Sequence, residues 1–293
     1  MRIEITDVFL RDGLQDEDVI VPTEDKVAVA EALVAAGVRR MEAASFVNPR
    51  RVPQMADAAE VLAGVPQHPG VTWTALALNG RGIDRAIDAG VTEIQVVTSA
   101  SQTHSSANAG QSIEDALAGL AAEVARHPTT RFFAGISTAF TCPFEGTIDP
   151  ERLIRVVRAF QTMGVTSIGL ADTLGTTPTE RVVATMQRVM RAEPDLAYSL
   201  HLHDAHDQAL PTVSAAVSEL GITRFDSAVG GYGGCPFAPG AHGNLATEQL
   251  VRHLHAQGHD TGIDEARLDD AVRLARRTVA RSPAVEPAPT AAR

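Results

Sequence analysis

The sequence predicts an α/β fold, a single (β/α)8 TIM barrel, from a repeated boundary, eight strand-like segments and a suitable length. At the repeated boundary a helical pattern ends at a glycine and passes directly into a strand-like run. It occurs at Ala36-Gly37-Val38, Ala89-Gly90-Val91, Met163-Gly164-Val165 and Leu220-Gly221-Ile222. Glycine favours the left-handed conformation just past a helix end. These boundaries indicate repeated βα units with short connections, and therefore a parallel sheet.

Eight predicted strands alternate with helical segments. The strands lie near residues 3–9, 38–44, 71–77, 93–98, 131–137, 165–171, 197–203 and 223–229. The helices lie near residues 24–36, 53–63, 81–89, 113–126, 150–163, 178–192 and 207–220. The sixth helix start is marked by Thr177-Pro178-Thr179-Glu180, which reads as a capping box with proline at the first helical position.

The C-terminal part of the chain adds two helices and a tail. One helix begins around Thr247 and an extra C-terminal helix covers Asp264–Arg281, whereas the proline- and alanine-rich Ser282–Arg293 is predicted to be disordered. We therefore assign residues 1–281 to one catalytic barrel domain and 282–293 to the tail. A doubly wound open sheet is the rival fold, but it usually carries a glycine-rich phosphate loop after the first strand, and none follows here.

Composition argues against two classes of partner. The 293 residues carry a formal net charge of −11, and no basic stripe is present to meet nucleic-acid phosphates. No apolar run approaches the roughly 20 residues that a membrane helix needs. Met1 leads straight into the first predicted strand, which leaves no room for a signal peptide. Two cysteines are too few for a disulfide framework. We expect a soluble, cytoplasmic protein.

Two histidines close the seventh predicted strand, in His201-Leu202-His203-Asp204. Side chains alternate along a strand, so both imidazoles point to the same face, with Cα atoms about 6.5 Å apart. Both rings can therefore share one metal ion. The alternative is a pair of core histidines bonded to neighbouring carbonyl groups.

Further polar residues stand at the carboxyl ends of predicted strands, where barrel enzymes place their active sites. They are Arg11, Asp12 and Gln15 after strand one, Glu42 on strand two, Asp172 on strand six, and Cys235 and Asn244 after strand eight. One aspartate, two histidines and an asparagine amide form a mixed oxygen and nitrogen set. That set suits Mg²⁺, Mn²⁺ or Co²⁺ better than zinc, because no thiolate or third histidine is evident.

Each of these residues also has a structural interpretation. Asp12 and Glu42 would pair with an arginine, Asn244 would cap the helix after it, and Cys235 would be a small buried apolar side chain. Asp204 would either fix the tautomer of a histidine ring or cap the next helix. Cys142 has no obvious partner and is interpreted as structural.

With these residues assembled, the chain resembles the hydroxymethylglutaryl-CoA lyase family of metal-dependent (β/α)8 lyases, from about Ile3 to Thr261. The motifs that carry the resemblance are Arg11–Gln15, Ser45–Pro49, Val52–Met55, Cys142–Gly146, His201–Asp204, Gly233–Ala238 and Gly243–Glu248. Several matches in the right order are far more specific than any single one. The glycine-rich cysteine loop favours the lyase branch over the related synthases and aldolases.

The resemblance implies a function and a set of roles. The reaction would be retro-Claisen cleavage of a 3-hydroxyacyl-CoA, with 3-hydroxy-3-methylglutaryl-CoA as the default substrate; a different 3-hydroxyacyl-CoA or a 4-hydroxy-2-oxo acid is the alternative. A possible homodimer is also implied. The implied roles are metal ligation by Asp12, His201, His203 and Asn244 with Mg²⁺ or Mn²⁺, enolate stabilisation by Arg11, substrate contact by Arg11 and Gln15, support by Glu42, proton handling by Asp172, and acid or base action by Cys235.

Two stretches depart from the family pattern. Residues 101–110 lack the aromatic residue and lysines usual after strand four, and His206-Asp207 replaces a Tyr-Gly pair. His242 also stands where a small residue is usual. We interpret the first stretch as a change in the CoA contacts or the acyl group. The two histidines are either surface residues or residues that reshape the acyl pocket.

Overall fold

Eight parallel strands close into a barrel in the computed structural model, which describes residues 1–234 and 243–285. The predicted (β/α)8 barrel is thereby confirmed. The barrel strands are β1 Glu4–Asp7, β2 Arg40–Ser45, β3 Thr72–Leu76, β4 Glu93–Ser99, β5 Phe132–Ser137, β8 Ser167–Asp172, β9 Ala197–Leu202 and β10 Arg224–Ser227. A small antiparallel hairpin, β6 Thr141–Cys142 and β7 Gly146–Thr147, follows β5. The order around the barrel is β1-β10-β9-β8-β5-β4-β3-β2.

Helices surround the barrel and bury their apolar faces against it. They are α1 Thr23–Ala36, α2 Ala58–Gly64, α3 Gly80–Asp88, α4 Gln102–Ala109, α5 Ile113–Arg126, α6 Pro150–Thr162, α7 Thr179–Ala192, α8 Ala209–Leu220, α9 Thr247–Ala256 and α10 Glu265–Arg281. Among the described residues, no helix has both the length and the apolar character needed to cross a membrane.

The glycine boundaries have the backbone conformation that the sequence predicts. Gly37 ends α1 with φ 103°, and a Cβ added there would lie 2.3 Å from the Gly262 carbonyl oxygen. The other three boundary glycines, at positions 90, 164 and 221, also have positive φ. Helix ends and strand starts are therefore fixed locally, which explains why the boundaries could be located from sequence.

Three local predictions are wrong. The first strand is shorter than predicted, because Phe9–Gly13 forms a short π-helix. The predicted helix at 53–63 is a 3₁₀ turn, Pro53–Met55, followed by α2. Thr177 does not cap α7: its hydroxyl and backbone N–H both bind the Asp172 carboxylate. A tertiary contact has taken the hydroxyl that a capping box would use.

The predicted tail is ordered at its start. The Ile20 N–H donates to the Pro283 carbonyl at 2.8 Å, and the Val285 N–H donates to the Asp18 carbonyl at 2.9 Å. Ala284 also bridges to Val19, so the first residues of the predicted tail pair with the segment that precedes α1. Residues 286–293 of the predicted tail lie outside the described part of the chain.

A buried ion pair closes the amino end of the barrel interior. Arg40 at the start of β2 pairs with Glu93 at the start of β4, and the Arg40 guanidinium lies 5.9 Å from the centre of the Phe133 ring. Both charged residues are buried. This ion pair and the Phe133 ring therefore fill the amino end of the barrel, at the opposite end from the candidate site.

Replacing Arg40 by methionine should destabilise the fold, because it leaves the Glu93 charge buried with only the exposed Arg131 beside it. We expect the free energy of unfolding to fall by about 3 kcal/mol, measured by urea denaturation. The control is Arg273→Met, which breaks an exposed pair with Asp270 and should change the value by less than about 0.5 kcal/mol. Equal effects of the two substitutions would contradict a structural role for the buried pair.

Candidate active site and metal centre

The short π-helix after β1 places Arg11 and Asp12 at the carboxyl end of the barrel. Asp7, the last residue of β1, anchors this helix. Its fully buried carboxylate accepts hydrogen bonds from the Phe9 N–H, the Val229 N–H and the Thr247 hydroxyl. Burial raises the pKa of Asp7 to about 7, although these donors oppose the rise. One side chain thereby joins β1 to the start of α9.

Arg11 lies between two carboxylates. Its Nε and Nη2 both contact Glu42 Oε2, at 2.7 and 2.5 Å, and its Nη1 pairs with Asp12. Glu42 projects inward from β2, and its side chain is 3% exposed. Burial raises the pKa of Glu42, and the adjacent Arg11 charge offsets only part of that rise. The structural pairings expected for Asp12 and Glu42 are both present, and both use Arg11.

His201, on β9, and His203, just after the end of β9, lie together in the same site. Their Nε2 atoms lie 3.2 Å apart, and His201 Nε2 is 3.8 Å from Asp12 Oδ2. One ligand atom from each of Asp12, His201 and His203 lies within 4.8 Å of the others, so the three residues could hold one metal ion. The same-face orientation expected from strand alternation is therefore present.

Asn244 completes this cluster from the other side. Its backbone bridges to His203, and its Nδ2 donates to Asp12 Oδ2 at 2.8 Å and to the Tyr232 carbonyl at 2.9 Å. The helix that follows begins three residues later, at Thr247, with Ala246 at its N-cap position. Asn244 is therefore not a helix cap, and its amide faces the candidate ligands.

Several residues in or near this site carry buried polar atoms without a hydrogen-bond partner. Within the described ranges, the buried atoms without a hydrogen-bond partner include Asn244 Oδ1, Glu42 Oε1, His203 Nδ1, Gln15 Oε1 and Ser45 Oγ. Buried polar atoms normally have partners, so such a group in one place requires an explanation. A half-turn of the Asn244 amide would set its oxygen beside Asp12, and amide oxygen, carboxylate and imidazole are ligands that a divalent cation accepts. The residues present therefore fit a cation.

The electrostatics of Asp12 and His203 agree with that fit. For Asp12, burial disfavours the charged form, but Arg11 and the two imidazoles outweigh it and hold the pKa well below the usual range. Burial and the neighbouring His201 ring lower the pKa of His203 to about 4, so its imidazole is neutral at pH 7. Metal ligation requires an ionised carboxylate and neutral imidazole.

Asp226 is a site residue that the sequence analysis missed. It lies on β10 in register with His201, and its Oδ2 is 3.4 Å from His201 Nδ1. A carboxylate in this position fixes the ring tautomer and leaves Nε2 directed at the ligand cluster. Its inward position on the eighth strand, level with the histidines, is the signal that could have identified it.

Asp172 and Asp204 lie outside the ligand cluster. The Asp172 carboxylate accepts from the Thr177 N–H at 3.0 Å and from the Thr177 hydroxyl at 2.8 Å. Burial raises the pKa of Asp172, against the effect of these two donors. Asp204 Oδ1 accepts from the N–H of Ala209, the first residue of α8, at 3.0 Å. Of the two alternatives for Asp204, the structure supports a role at the helix start.

The remaining predicted residues have varied positions. Gln15 is partly exposed beside the π-helix, with the unpartnered oxygen already noted. His206 is exposed, as the surface interpretation expects. Cys235 and His242 lie outside the described residues. The acid or base role of Cys235 stays a prediction.

The stretch after β4 forms a helix, α4, that the sequence analysis did not predict. Ser101 caps it by accepting from the His104 N–H. The Ser101 hydroxyl also contacts two further polar side chains. Cys142 Sγ lies 2.9 Å from it, and the Glu145 carboxylate accepts a hydrogen bond from it at 2.9 Å. Glu145 further binds the Thr103 N–H. Cys142 thus has the structural role that was predicted, within contacts that fasten the β6–β7 hairpin to α4.

A family model described as HMGL-like matches residues 2–275, nearly the whole described chain. The chain belongs to the HMGL-like family. This confirms the family predicted from the motifs, and with it the predicted class of carbon–carbon lyase.

Several known proteins are similar to this HMGL-like chain in sequence or in structure. It is 40% identical over 264 residues to "3-hydroxy-3-methylglutaryl-CoA lyase, cytoplasmic" of Rattus norvegicus, covering 89% of this chain and 77% of the relative. It is 39% identical over 272 residues to the "3-hydroxy-3-isohexenylglutaryl-CoA/hydroxy-methylglutaryl-CoA lyase" of Pseudomonas aeruginosa, covering 92% and 90%. A solved HMG-CoA lyase from Acinetobacter baumannii, in complex with coenzyme A and 3-methylmalate, superposes with a TM-score of 0.90 at 35% identity, covering 98% of each chain.

Replacing Asp12 by alanine should weaken Mn²⁺ binding by about 100-fold or more, because it removes the anionic ligand and frees Arg11 to oppose the cation. Isothermal titration of the purified protein with Mn²⁺ measures this change without any substrate. Asp204→Asn is the matched control, since Asp204 contacts the start of α8. The Mn²⁺ affinity of this variant should stay within about threefold of the wild-type value. Unchanged binding by Asp12→Ala would rule the cluster out as the metal site.

Proposed function

We propose that this HMGL-like protein is a divalent-metal-dependent lyase that cleaves 3-hydroxy-3-methylglutaryl-CoA to acetyl-CoA and acetoacetate. The main observation behind this proposal is that Arg11 pairs with Asp12, which lies in one cluster with the other candidate ligands, His201 and His203. The names of the relatives support the choice of thioester. The coenzyme A complex of the Acinetobacter baumannii protein supports an acyl-CoA as the substrate class.

In the proposed reaction, the C3 hydroxyl of the substrate loses its proton and becomes the ketone of acetoacetate. The C2–C3 bond breaks, and its electron pair stays on C2 to form the enolate of acetyl-CoA. A proton delivered to C2 then completes acetyl-CoA. The protein must therefore hold the hydroxyl, stabilise an oxygen anion and move two protons.

We assign the cation to Asp12, His201, His203 and Asn244, with Mg²⁺ or Mn²⁺ as the ion. A divalent cation bound there lowers the pKa of a hydroxyl group that it contacts and orients that group. Asp226 supports the arrangement by fixing the His201 ring. The mixed oxygen and nitrogen donors, without a thiolate in the cluster, favour these two ions.

Arg11 is assigned to the enolate oxygen. Glu42 holds its Nε and Nη2, so the guanidinium is fixed before the negative charge develops. Gln15 is assigned to substrate contact because it follows the π-helix and its buried side-chain oxygen has no hydrogen-bond partner among the described residues. Cys235 is assigned as the acid or base, and Asp172 to proton handling. For Asp172, support comes from burial, which favours the protonated form.

We also infer a cytoplasmic location, in line with the named location of the rat relative, and a homodimer.

Acetyl-CoA release from 3-hydroxy-3-methylglutaryl-CoA tests this function directly. The metal-loaded protein should release acetyl-CoA, EDTA treatment should abolish release, and added Mg²⁺ or Mn²⁺ should restore it. A coupled citrate synthase assay measures the product. Folded protein that binds metal but releases no acetyl-CoA would refute the proposed substrate.

Arg11→Met should lower kcat by about 10³-fold, because the interaction with the enolate oxygen exists only as that charge develops. Metal affinity, measured in parallel by titration, should change much less than in Asp12→Ala. Arg39→Met, which removes a surface-facing guanidinium bound to backbone carbonyls, is the control and should leave kcat unchanged. A loss of metal binding equal to the loss of kcat would assign Arg11 to the metal site instead.

Cys235→Ala should retain Mn²⁺ affinity and lose much of the turnover, by about 10²-fold, as expected for removal of a general acid or base. The test compares titration with steady-state kinetics on one preparation. Cys142→Ala is the matched cysteine control, since Cys142 is buried among Ser101 and its neighbours. Normal turnover by Cys235→Ala would exclude this cysteine from the mechanism.

A further inference from the structure

Small, uncharged side chains line one half of the barrel mouth. Ala171 on β8 lies beside His201 in strand register. Ile136 pairs with Leu170, so the next residues, Ser137 and Ala171, are also neighbours. One strand further on, Val97 of β4 pairs with Gly135. Around the barrel from the candidate ligand cluster, the side chains that face the interior therefore become small and uncharged.

These side chains are open to a ligand. Val97, Ser137 and Ala171 are each partly exposed although they lie within barrel strands. On the opposite side of the mouth, Ala44 and Ala228 are buried, and the space there holds Arg11 and its carboxylate partners. The exposure of the three small residues thus marks a recess beside the histidines. We name Val97, Ser137 and Ala171 the neutral recess.

The floor of the neutral recess is closed. A Cβ added to Gly135 would lie 2.9 Å from the side-chain amide nitrogen of Gln95 and 3.1 Å from Val97 Cγ2, so Val97 borders this floor. A Cβ added to Gly169, two residues before Ala171, would lie 2.7 Å from the Phe133 ring. Side chains one level below therefore fill the barrel. A group that enters the recess stops at this layer and does not pass down the barrel.

Hydrogen bonds fix the rim of the recess. Thr138 follows Ser137 with the uncommon φ of 49°, its hydroxyl lies 2.7 Å from the Ser99 hydroxyl, and its N–H donates to the Thr173 hydroxyl at 2.8 Å. These contacts tie together the ends of β4, β5 and β8. The wall of the recess is accordingly held in place before a ligand arrives.

We propose, resting on the proposed function, that the neutral recess receives the substituent at C3 of the acyl chain and accepts a branch longer than methyl. The C3 hydroxyl has to reach the ligand cluster, and the carboxylate of the acyl chain is attracted to the half that holds Arg11 and the proposed cation. An apolar branch placed on that half would separate buried charges from their partners. It is therefore directed to the opposite half, where Val97 and Ala171 offer apolar contact.

The experiment compares kcat/KM for two thioesters, 3-hydroxy-3-methylglutaryl-CoA and 3-hydroxy-3-isohexenylglutaryl-CoA. The second is a substrate in the name of the Pseudomonas aeruginosa relative. The wild-type protein should cleave both, with values within about tenfold. Val97→Phe fills the recess and should lower the value for the longer branch by about 30-fold relative to the methyl substrate. Val97→Ala, at the same position, should leave the ratio within about threefold.

Ser137→Leu provides a second test from a different strand, in case Val97→Phe does not fold. It should shift the ratio in the same direction, while Mn²⁺ affinity stays unchanged. Cleavage of the methyl substrate alone by the wild type would overturn the recess proposal and leave the proposed function standing. Equal losses for both thioesters in both filling variants would also overturn it. Failure to cleave either thioester would refute the proposed function itself.

Discussion

The buried contact of Arg11 with Asp12 and Glu42 is the interaction on which the site depends. Three charged groups lie together in a largely buried position, and each would be costly to bury alone. Arg11 satisfies Glu42 through two nitrogens and Asp12 through a third. It therefore orients the carboxylate that faces the histidines. The π-helix that presents Arg11 and Asp12 is in turn anchored by Asp7. Hydrogen bonds to the Asp7 carboxylate connect the end of β1 to this helix, to the segment after β10 and to the start of α9.

This arrangement also supports the cation proposed for this site. The carboxylates of Asp12, Glu42 and Asp226 face one guanidinium, which leaves a formal excess of two negative charges. The pKa of His201 is raised, because Asp226 and Asp12 together outweigh the effect of its burial. The same carboxylates that would attract a proton to this ring attract a divalent cation more strongly. Asn244 Oδ1 and Glu42 Oε1, which have no hydrogen-bond partner among the described residues, belong to side chains that contact Asp12 and Arg11.

Sequence reasoning predicted the features that local chemistry determines. The four glycine boundaries located the βα units because left-handed backbone favours glycine, and strand alternation placed His201 and His203 on one face. It failed where a tertiary contact decided the outcome. Thr177 binds Asp172 instead of capping α7. The π-helix depends on Asp7, and α4 depends on contacts between Ser101 and the β6–β7 hairpin. Asp226 was missed because its role depends on register between two strands.

The division of the mouth into a charged and a neutral half separates reaction from specificity. In the proposed mechanism the charged half is constrained by the chemistry, because Arg11, its carboxylate partners and the histidines have to keep fixed relative positions for an enolate to form. The neutral half carries no such constraint, because Val97, Ser137 and Ala171 need only match the shape of a substituent. None of these three side chains forms an ion pair or belongs to the candidate ligand cluster. A barrel of this kind can therefore keep one bond-breaking reaction and alter the acyl group on which it acts.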